Sequence, residues 1–84
     1  MDKKPFRSFL GKQVVTKEGK KLGVVKDVTF ETNTGELIHI VLSNLTTHTS
    51  NLSLERTENQ EALIPYNSVI AVGDFIVVSE EDLI

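Results

Sequence analysis

The chain has 84 residues, with nine lysines and arginines against twelve aspartates and glutamates, and it contains no cysteine and no tryptophan. That length supports one hydrophobic core and not two. The missing cysteine excludes disulfides, thiolate zinc sites and a cysteine nucleophile, and fits a reducing compartment. The longest nearly apolar run, Val69 to Val78, is broken by Gly73 and Asp74 and falls short of the ~20 residues that span a bilayer. Polar residues separate Phe6 from Phe9 and Leu10, so the basic start leads into no signal-peptide apolar region. No membrane insertion and a cytoplasmic location are expected.

In chain order, residues 1–9 read as a polar lead in which Phe6 and Phe9, followed by Leu10, supply an apolar anchor over one end of the fold. Gln13 to Thr16 is a short strand, and Lys17-Glu18-Gly19-Lys20 is turn chemistry, Gly19 being able to take the positive φ of a tight hairpin. From Lys21 to about Glu31 the even positions Leu22, Val24, Val28 and Phe30 are apolar, while Asp27, Thr29 and Glu31 are not. This alternation marks a half-buried strand. The next strand, Glu36 to about Leu45, carries Ile38, Ile40 and Leu42 on its even face. A three-residue loop Asn33-Thr34-Gly35 pairs Phe30 with Ile38 and Val28 with Ile40, so turn and core agree on one register. Lys26, opposite Leu42, does not fit that core. Either it lies beyond the core's edge with its ammonium in water, or a bulge near Lys26-Asp27 re-aims it.

The opposite face of this hairpin, Val25, Thr29, Leu37, His39 and Val41, is more apolar than a solvated sheet face should be. The expected cover is the lead's phenylalanines, the C-terminal tail or another subunit, and these five residues are the candidate protein interface. Residues 46–60, "TTHTSNLSLERTENQ", form a polar insert with Leu52 and Leu54 as its large apolar residues. It reads either as a long excursion or as an extended hairpin with its tip near Ser50-Asn51. "ALIPYNSV" reads as a strand that ends in a kink at Pro65. Val69 to Asp74 reads as a turn hinged on Gly73, and "FIVV" as the last strand. Residues 79–84 form an acidic tail. Five or six short, mostly antiparallel strands without a convincing helix make an all-β fold, a small β-barrel.

Charge is unevenly distributed. Up to Lys26 there are eight basic residues against two acids, and from Asp27 onward one basic residue against ten. Lys17, Lys20 and Lys21 on the first hairpin are the candidate contacts for an anionic partner. Aromatics interleaved with the basic residues, the usual stacking platform for single strands, are missing apart from Phe6 and Phe9, which argues against RNA. His39 and His48 are too far apart for a helical zinc pair, and no serine sits in a G-x-S-x-G setting. The glycines are too scattered for a phosphate loop. Asp27 is the one acid inside a strand pattern, read as accepting hydrogen bonds from nearby backbone. No catalytic residue, cofactor or metal is assigned.

The order of elements resembles a known family. Leu10, Gly11 and Val14; then Gly19, Leu22, Gly23, Val25, Asp27 and Val28; then Thr34 and Gly35; then Ile64, Pro65, Tyr66, Val69, Gly73 and Asp74 are similar to the motifs of the PRC-barrel. The likeness covers Leu10 to Val78. It implies a compact, strongly bent barrel domain over 10–78 without enzymatic activity. The family occurs in the photosynthetic reaction-centre H subunit, at the C-terminus of the ribosome maturation factor RimM and as stand-alone proteins of bacteria and archaea. Lacking the transmembrane helix of the first and the preceding barrel of the second, this chain resembles a stand-alone member. Some archaeal members of that kind are cell-division proteins that associate with one another and with SepF, the membrane anchor of the FtsZ ring. The resemblance therefore implies an adaptor at the division site that pairs with itself or a paralogous PRC-barrel protein, with SepF as a further partner. The alternative is an RNA-binding or ribosome-assembly factor using the basic hairpin.

Overall fold

The structure is a computed structural model that describes residues 8–83. Seven strands, β1 (Gln13–Thr16), β2 (Lys21–Phe30), β3 (Leu37–Ser43), β4 (Glu55–Arg56), β5 (Ala62–Pro65), β6 (Val69–Val72) and β7 (Ile76–Val78), form one sheet in the order β4-β5-β3-β2-β1-β7-β6. All neighbours are antiparallel except β1 and β7, which pair Val14 with Ile76 and Thr16 with Val78 in parallel. Among the described residues the sheet does not close, and β4 and β6 stand at the two ends of its strand order. The fold is the expected small, mostly antiparallel all-β one, with more strands than the sequence pattern suggests. Val69 to Val72, expected as a turn, is strand β6, and the hinge at Gly73 follows it.

The bending is written in the register. β2 and β3 keep the expected even-sum pairing only in the middle, where Asp27 meets Val41, Val28 meets Ile40 and Thr29 meets His39. At both ends the pairing slips by one: Val25 meets Leu42, and Phe30 meets Leu37 rather than Ile38. The unpaired residues are Lys26 on β2 and Ile38 on β3. A third irregularity lies against β1, where Val14 pairs with Gly23 and Val15 with Lys21, which skips Leu22. Each bulge adds one residue to the two-residue repeat and kinks the strand. The core positions of β2 are accordingly Leu22, Val25 and Val28, three apart, and those of β3 are Ile40 and Leu42 with Leu37 packed against them. Phe9, Val14, Ala62, Ile64, Ile76, Val78 and Leu83 complete the cluster. Two expectations fail here for the same reason: the slipped register leaves Phe30 at 43% and Ile38 at 39% exposure. Of the lead, Phe9 is buried as expected, Leu10 is 40% exposed, and Phe6 lies outside the described residues.

Both hairpin turns use glycine where the chain needs a positive φ, 87° at Gly19 and 75° at Gly35. The second loop is one residue longer than expected. Glu31 N–H donates to Glu36 O (2.7 Å) and Gly35 N–H to Glu31 O (2.8 Å), so Glu31, and not Thr32, faces Glu36. Gly23 is required by space instead, since a Cβ there would stand 2.7 Å from the Ser43 carbonyl oxygen.

The insert is neither a loose excursion nor an extended hairpin. After β3 the chain turns at Asn44 (φ 51°) into a one-turn helix, α1 (Thr47–Ser50), capped by Thr46. Threonines are mediocre helix formers, so tertiary hydrogen bonds set this turn. The skipped residue Leu22 exposes its carbonyl to it: Thr46 N–H (3.2 Å) and the fully buried Thr49 hydroxyl (2.5 Å) both donate to Leu22 O. Thr46 Oγ1 donates to Lys21 O (2.6 Å), and His48 Nε2 lies 2.7 Å from Glu80 on the closing 3-10 turn Glu80–Leu83. Leu52 and Leu54 pack on the core, and β4 then pairs with β5.

The other half of the insert hangs from the second bulge. Extruded from the ladder, Lys26 reaches Glu61 at 2.5 Å, which settles the two readings of Lys26 in favour of the bulge. Glu61 also accepts from Thr57 Oγ1 (3.2 Å). The Lys26 ammonium holds the Glu61 carboxyl below its ordinary value of 4.5, and Glu61 in turn raises Lys26 above 10.5.

Two measurements check these attachments. Thr49→Val removes a donor from a buried carbonyl at nearly constant volume and should cost about 1–3 kcal/mol in chemical denaturation, the range for a lost buried hydrogen bond. The Glu61 contribution is complete above 4.5 and is lost as pH falls through its lowered folded value, while the Lys26 contribution is lost only as pH rises above 10.5. The melting-temperature gap between wild type and Glu61→Gln should therefore be flat through neutral pH and shrink in acid.

Candidate interaction surface

The slip at Ile38 and the kink after Pro65 border a concave feature. Pro65 ends β5, and the chain enters a 3-10 turn, Tyr66–Ser68, whose buried Ser68 hydroxyl donates to Pro65 O (2.7 Å). This holds Tyr66 beside β3, 38% exposed and tilted against the buried Phe9 at a centroid distance of 6.1 Å. Between Tyr66 and β3 lies an open depression of about 540 Å³ lined by Glu31, Glu36, Leu37, Ile38, His39, Pro65, Tyr66 and Asn67. Leu37, Ile38, Pro65 and Tyr66 give it apolar and aromatic surface; its acidic groups, Glu31 and Glu36, flank the β2–β3 turn, and none of its lining residues is lysine or arginine.

His39 is fixed from behind. Its backbone N–H donates to Thr29 Oγ1 (3.1 Å), and the same hydroxyl lies 3.2 Å from His39 Nδ1. The hydroxyl can donate to Nδ1 or, through its second lone pair, accept from Nδ1–H, and either bond holds the ring against Thr29. His39 is thus a sheet-face residue with an ordered ring.

The five residues read as one face do not share it. Val25 is 2% exposed inside the core and Leu37 packs against that core, because the bulges at Lys26 and Ile38 flip their parity. Thr29, His39 and Val41 stay on the outer face, with Val41 only 6% exposed. Leu37 and His39 do line the depression. Ile38, Pro65 and Tyr66 line the depression without having been candidates from the sequence: Ile38 was counted as core, and Pro65-Tyr66 was read as a kink alone. Asp27 accepts from Val28 N–H (2.8 Å), as expected, and stands opposite Val41, two positions from His39. Among the described residues no group of three or more metal-ligating side chains forms.

The basic hairpin is not a continuous cationic patch. Lys17 pairs with Glu81 at 3.5 Å, Lys12 donates to the Gly73 carbonyl (2.5 Å) and Lys26 is taken by Glu61. The fold brings the acidic C-terminal turn back onto the basic start, and only Lys20 and Lys21 on this hairpin remain exposed and without an acidic partner.

Comparison with known proteins shows the family: the PRC-barrel domain model matches residues 1–83, a stretch that takes in the lead and all but the last residue of the acidic tail. The chain belongs to the PRC-barrel family. It is also similar to the uncharacterized protein MJ1118 of Methanocaldococcus jannaschii, 28% identical over 83 residues, which are 99% of this chain and 89% of the relative. Among the described residues no helix is long and apolar enough to cross a membrane.

The ordered imidazole gives a direct check. Nitrogen-detected NMR should find His39 held in a single tautomer by Thr29, and Thr29→Val should convert it to a tautomer mixture; an unchanged ring in the variant contradicts the pairing.

Proposed function

We propose that this protein is a non-enzymatic adaptor of archaeal cell division, associating with itself or a paralogous PRC-barrel protein and with the SepF/FtsZ machinery. The observation that carries the adaptor reading is the depression between β3 and Tyr66, an open concavity in which the apolar and aromatic side chains of Leu37, Ile38, Pro65 and Tyr66 stand among Glu31, Glu36, His39 and Asn67. Aromatic anchors beside small apolar pockets are the usual centres of protein–protein recognition. The acidic rim adds a preference: the favoured partner brings an apolar side chain flanked by lysine or arginine. The division role rests on the family, on the resemblance of the motif set to archaeal division proteins and on a relative that comes from an archaeon.

Titration of the protein with SepF and with a co-encoded PRC-barrel paralogue, read by calorimetry, tests this. Binding is expected to weaken about tenfold or more for Tyr66→Ala, matching a hot-spot truncation of about 2 kcal/mol, and to fall further for Ile38→Glu. Absence of binding to either, or equal binding by both variants, removes the reading.

A further inference from the structure

The two ends of β2 carry opposite charge. At its start, the β1–β2 turn over residues 17–21 is a rigid tip. Thr16 N–H donates to Lys20 O (2.9 Å), Gly19 N–H to Thr16 O (2.9 Å) and Lys20 N–H to Thr16 Oγ1 (3.1 Å), and Thr46 holds the Lys21 carbonyl. Six lysines and arginines lie within the described residues. Lys17 is paired with Glu81, Lys26 with Glu61, Lys12 with the Gly73 carbonyl and Arg56 with the Gln60 carbonyl. The Lys20 and Lys21 ammoniums, both exposed on the tip, are left without a partner among the described residues. Glu18 is the one acid beside them, so the tip stays cationic. Past the other end of β2 lies the depression, where Glu31 and Glu36 stand beside Leu37, Ile38, Pro65 and Tyr66. Glu31 accepts from Asn33 N–H (3.1 Å), whereas the exposed Glu36 carboxylate has no partner among the described residues.

We propose that the depression is filled by the β1–β2 tip of a second copy, so that the protein associates with itself head to tail. Each surface supplies what the other lacks, unpaired ammoniums on the tip and an unpaired carboxylate at the depression. Lysine suits this concavity. Its methylene stem lies along apolar surface such as Ile38 and Tyr66 while its ammonium reaches Glu36 and Glu31, and a cation over the tyrosine ring adds a further attraction. Because the tip is already held by hydrogen bonds, docking it orders no loop. A copy does not reach its own depression, since tip and depression stand at opposite ends of the ten-residue β2, up to about 30 Å of strand. The contact is therefore heterologous and leaves every row of copies with one free tip and one free depression. The free depression is the place where a different partner docks. This rests on the depression as the adaptor's binding surface and names its occupant in self-association.

Sedimentation velocity over a micromolar concentration series, at low and at high salt, tests it. The wild type should form species that grow with concentration and dissociate in high salt. Lys20→Glu/Lys21→Glu and Glu31→Lys/Glu36→Lys should each be monomeric alone, with melting temperatures close to wild type, and an equal mixture of the two should assemble again. Glu36→Lys by itself, which keeps the Glu31–Asn33 hydrogen bond, and Tyr66→Ala should each weaken self-association about tenfold or more. Should the doubly reversed depression melt early, Glu36→Lys takes its place in the mixture. A monomeric wild type, assembly undiminished by salt or by the lysine reversal, or a mixture of folded variants that stays monomeric overturns the proposal. Assembly lost in Tyr66→Ala yet kept by both reversals also overturns it and gives the depression another occupant. Binding of SepF or the paralogue by a wild type that does not self-associate removes this contact alone. Self-association rescued by mixing, without binding to either, removes the division reading alone.

Discussion

Where β2 skips Leu22, the side chain stays in the core while its carbonyl oxygen faces the segment after β3, and a buried acceptor there must find donors. It takes two, the Thr46 amide and the Thr49 hydroxyl. That pair of bonds makes a helical turn out of a threonine-rich stretch with little helical preference of its own, and it places His48 against Glu80. Four residues further along β2, the second bulge pushes Lys26 outward to hold Glu61 and with it the loop before β5. The insert thus follows the two irregularities of one strand. It is ordered because the polar groups that the bulges release have to be satisfied, and the insert is what satisfies them.

The same bulges decide what was legible in the sequence. Turn chemistry was readable, because Gly19 and Gly35 sit where φ must be positive. The centre of the hairpin was readable from alternation, with Val28 facing Ile40. Lys26 on an apolar face announced its own bulge, since a charge where the pattern wants a hydrophobe signals a change of parity. Leu22 and Ile38 gave no such warning, being apolar on either reading. Hence Val25 was assigned to the surface and Ile38 and Phe30 to the core, each one parity step from where it lies. The parallel pairing of β1 with β7 has no sequence mark at all, because it joins strands some sixty positions apart and each looks the same with any neighbour.

For the site, the sequence showed that something apolar was left over on the hairpin; of the five residues it named, Leu37 and His39 line the depression. What it lacked was the three-dimensional neighbour: Tyr66 reaches β3 only through the kink after Pro65 and the support of Phe9. Charge was misleading in the opposite sense. The separation of basic start from acidic end along the chain suggests a dipolar surface, yet the fold lays Glu81 on Lys17 and Glu61 on Lys26, so part of the sequence asymmetry is cancelled in space. The family assignment survives these local errors because its motifs are turn glycines and strand starts, the features that bulges leave in place.

The parallel contact between β1 and β7 has a bearing on how the chain acquires its structure. β1 to β5 can assemble by successive neighbours, but the sheet is complete only when Ile76–Val78 docks beside Val14–Thr16. That contact closes nearly the full length of the domain and belongs to the slow, non-local class of folding events. During synthesis β1 therefore waits with one side unpaired until the last strand has left the ribosome, and a nascent chain stalled before residue 76 exposes Val14, a core residue, along an open edge. The molecule's weakest moment is the interval between making its first strand and its last.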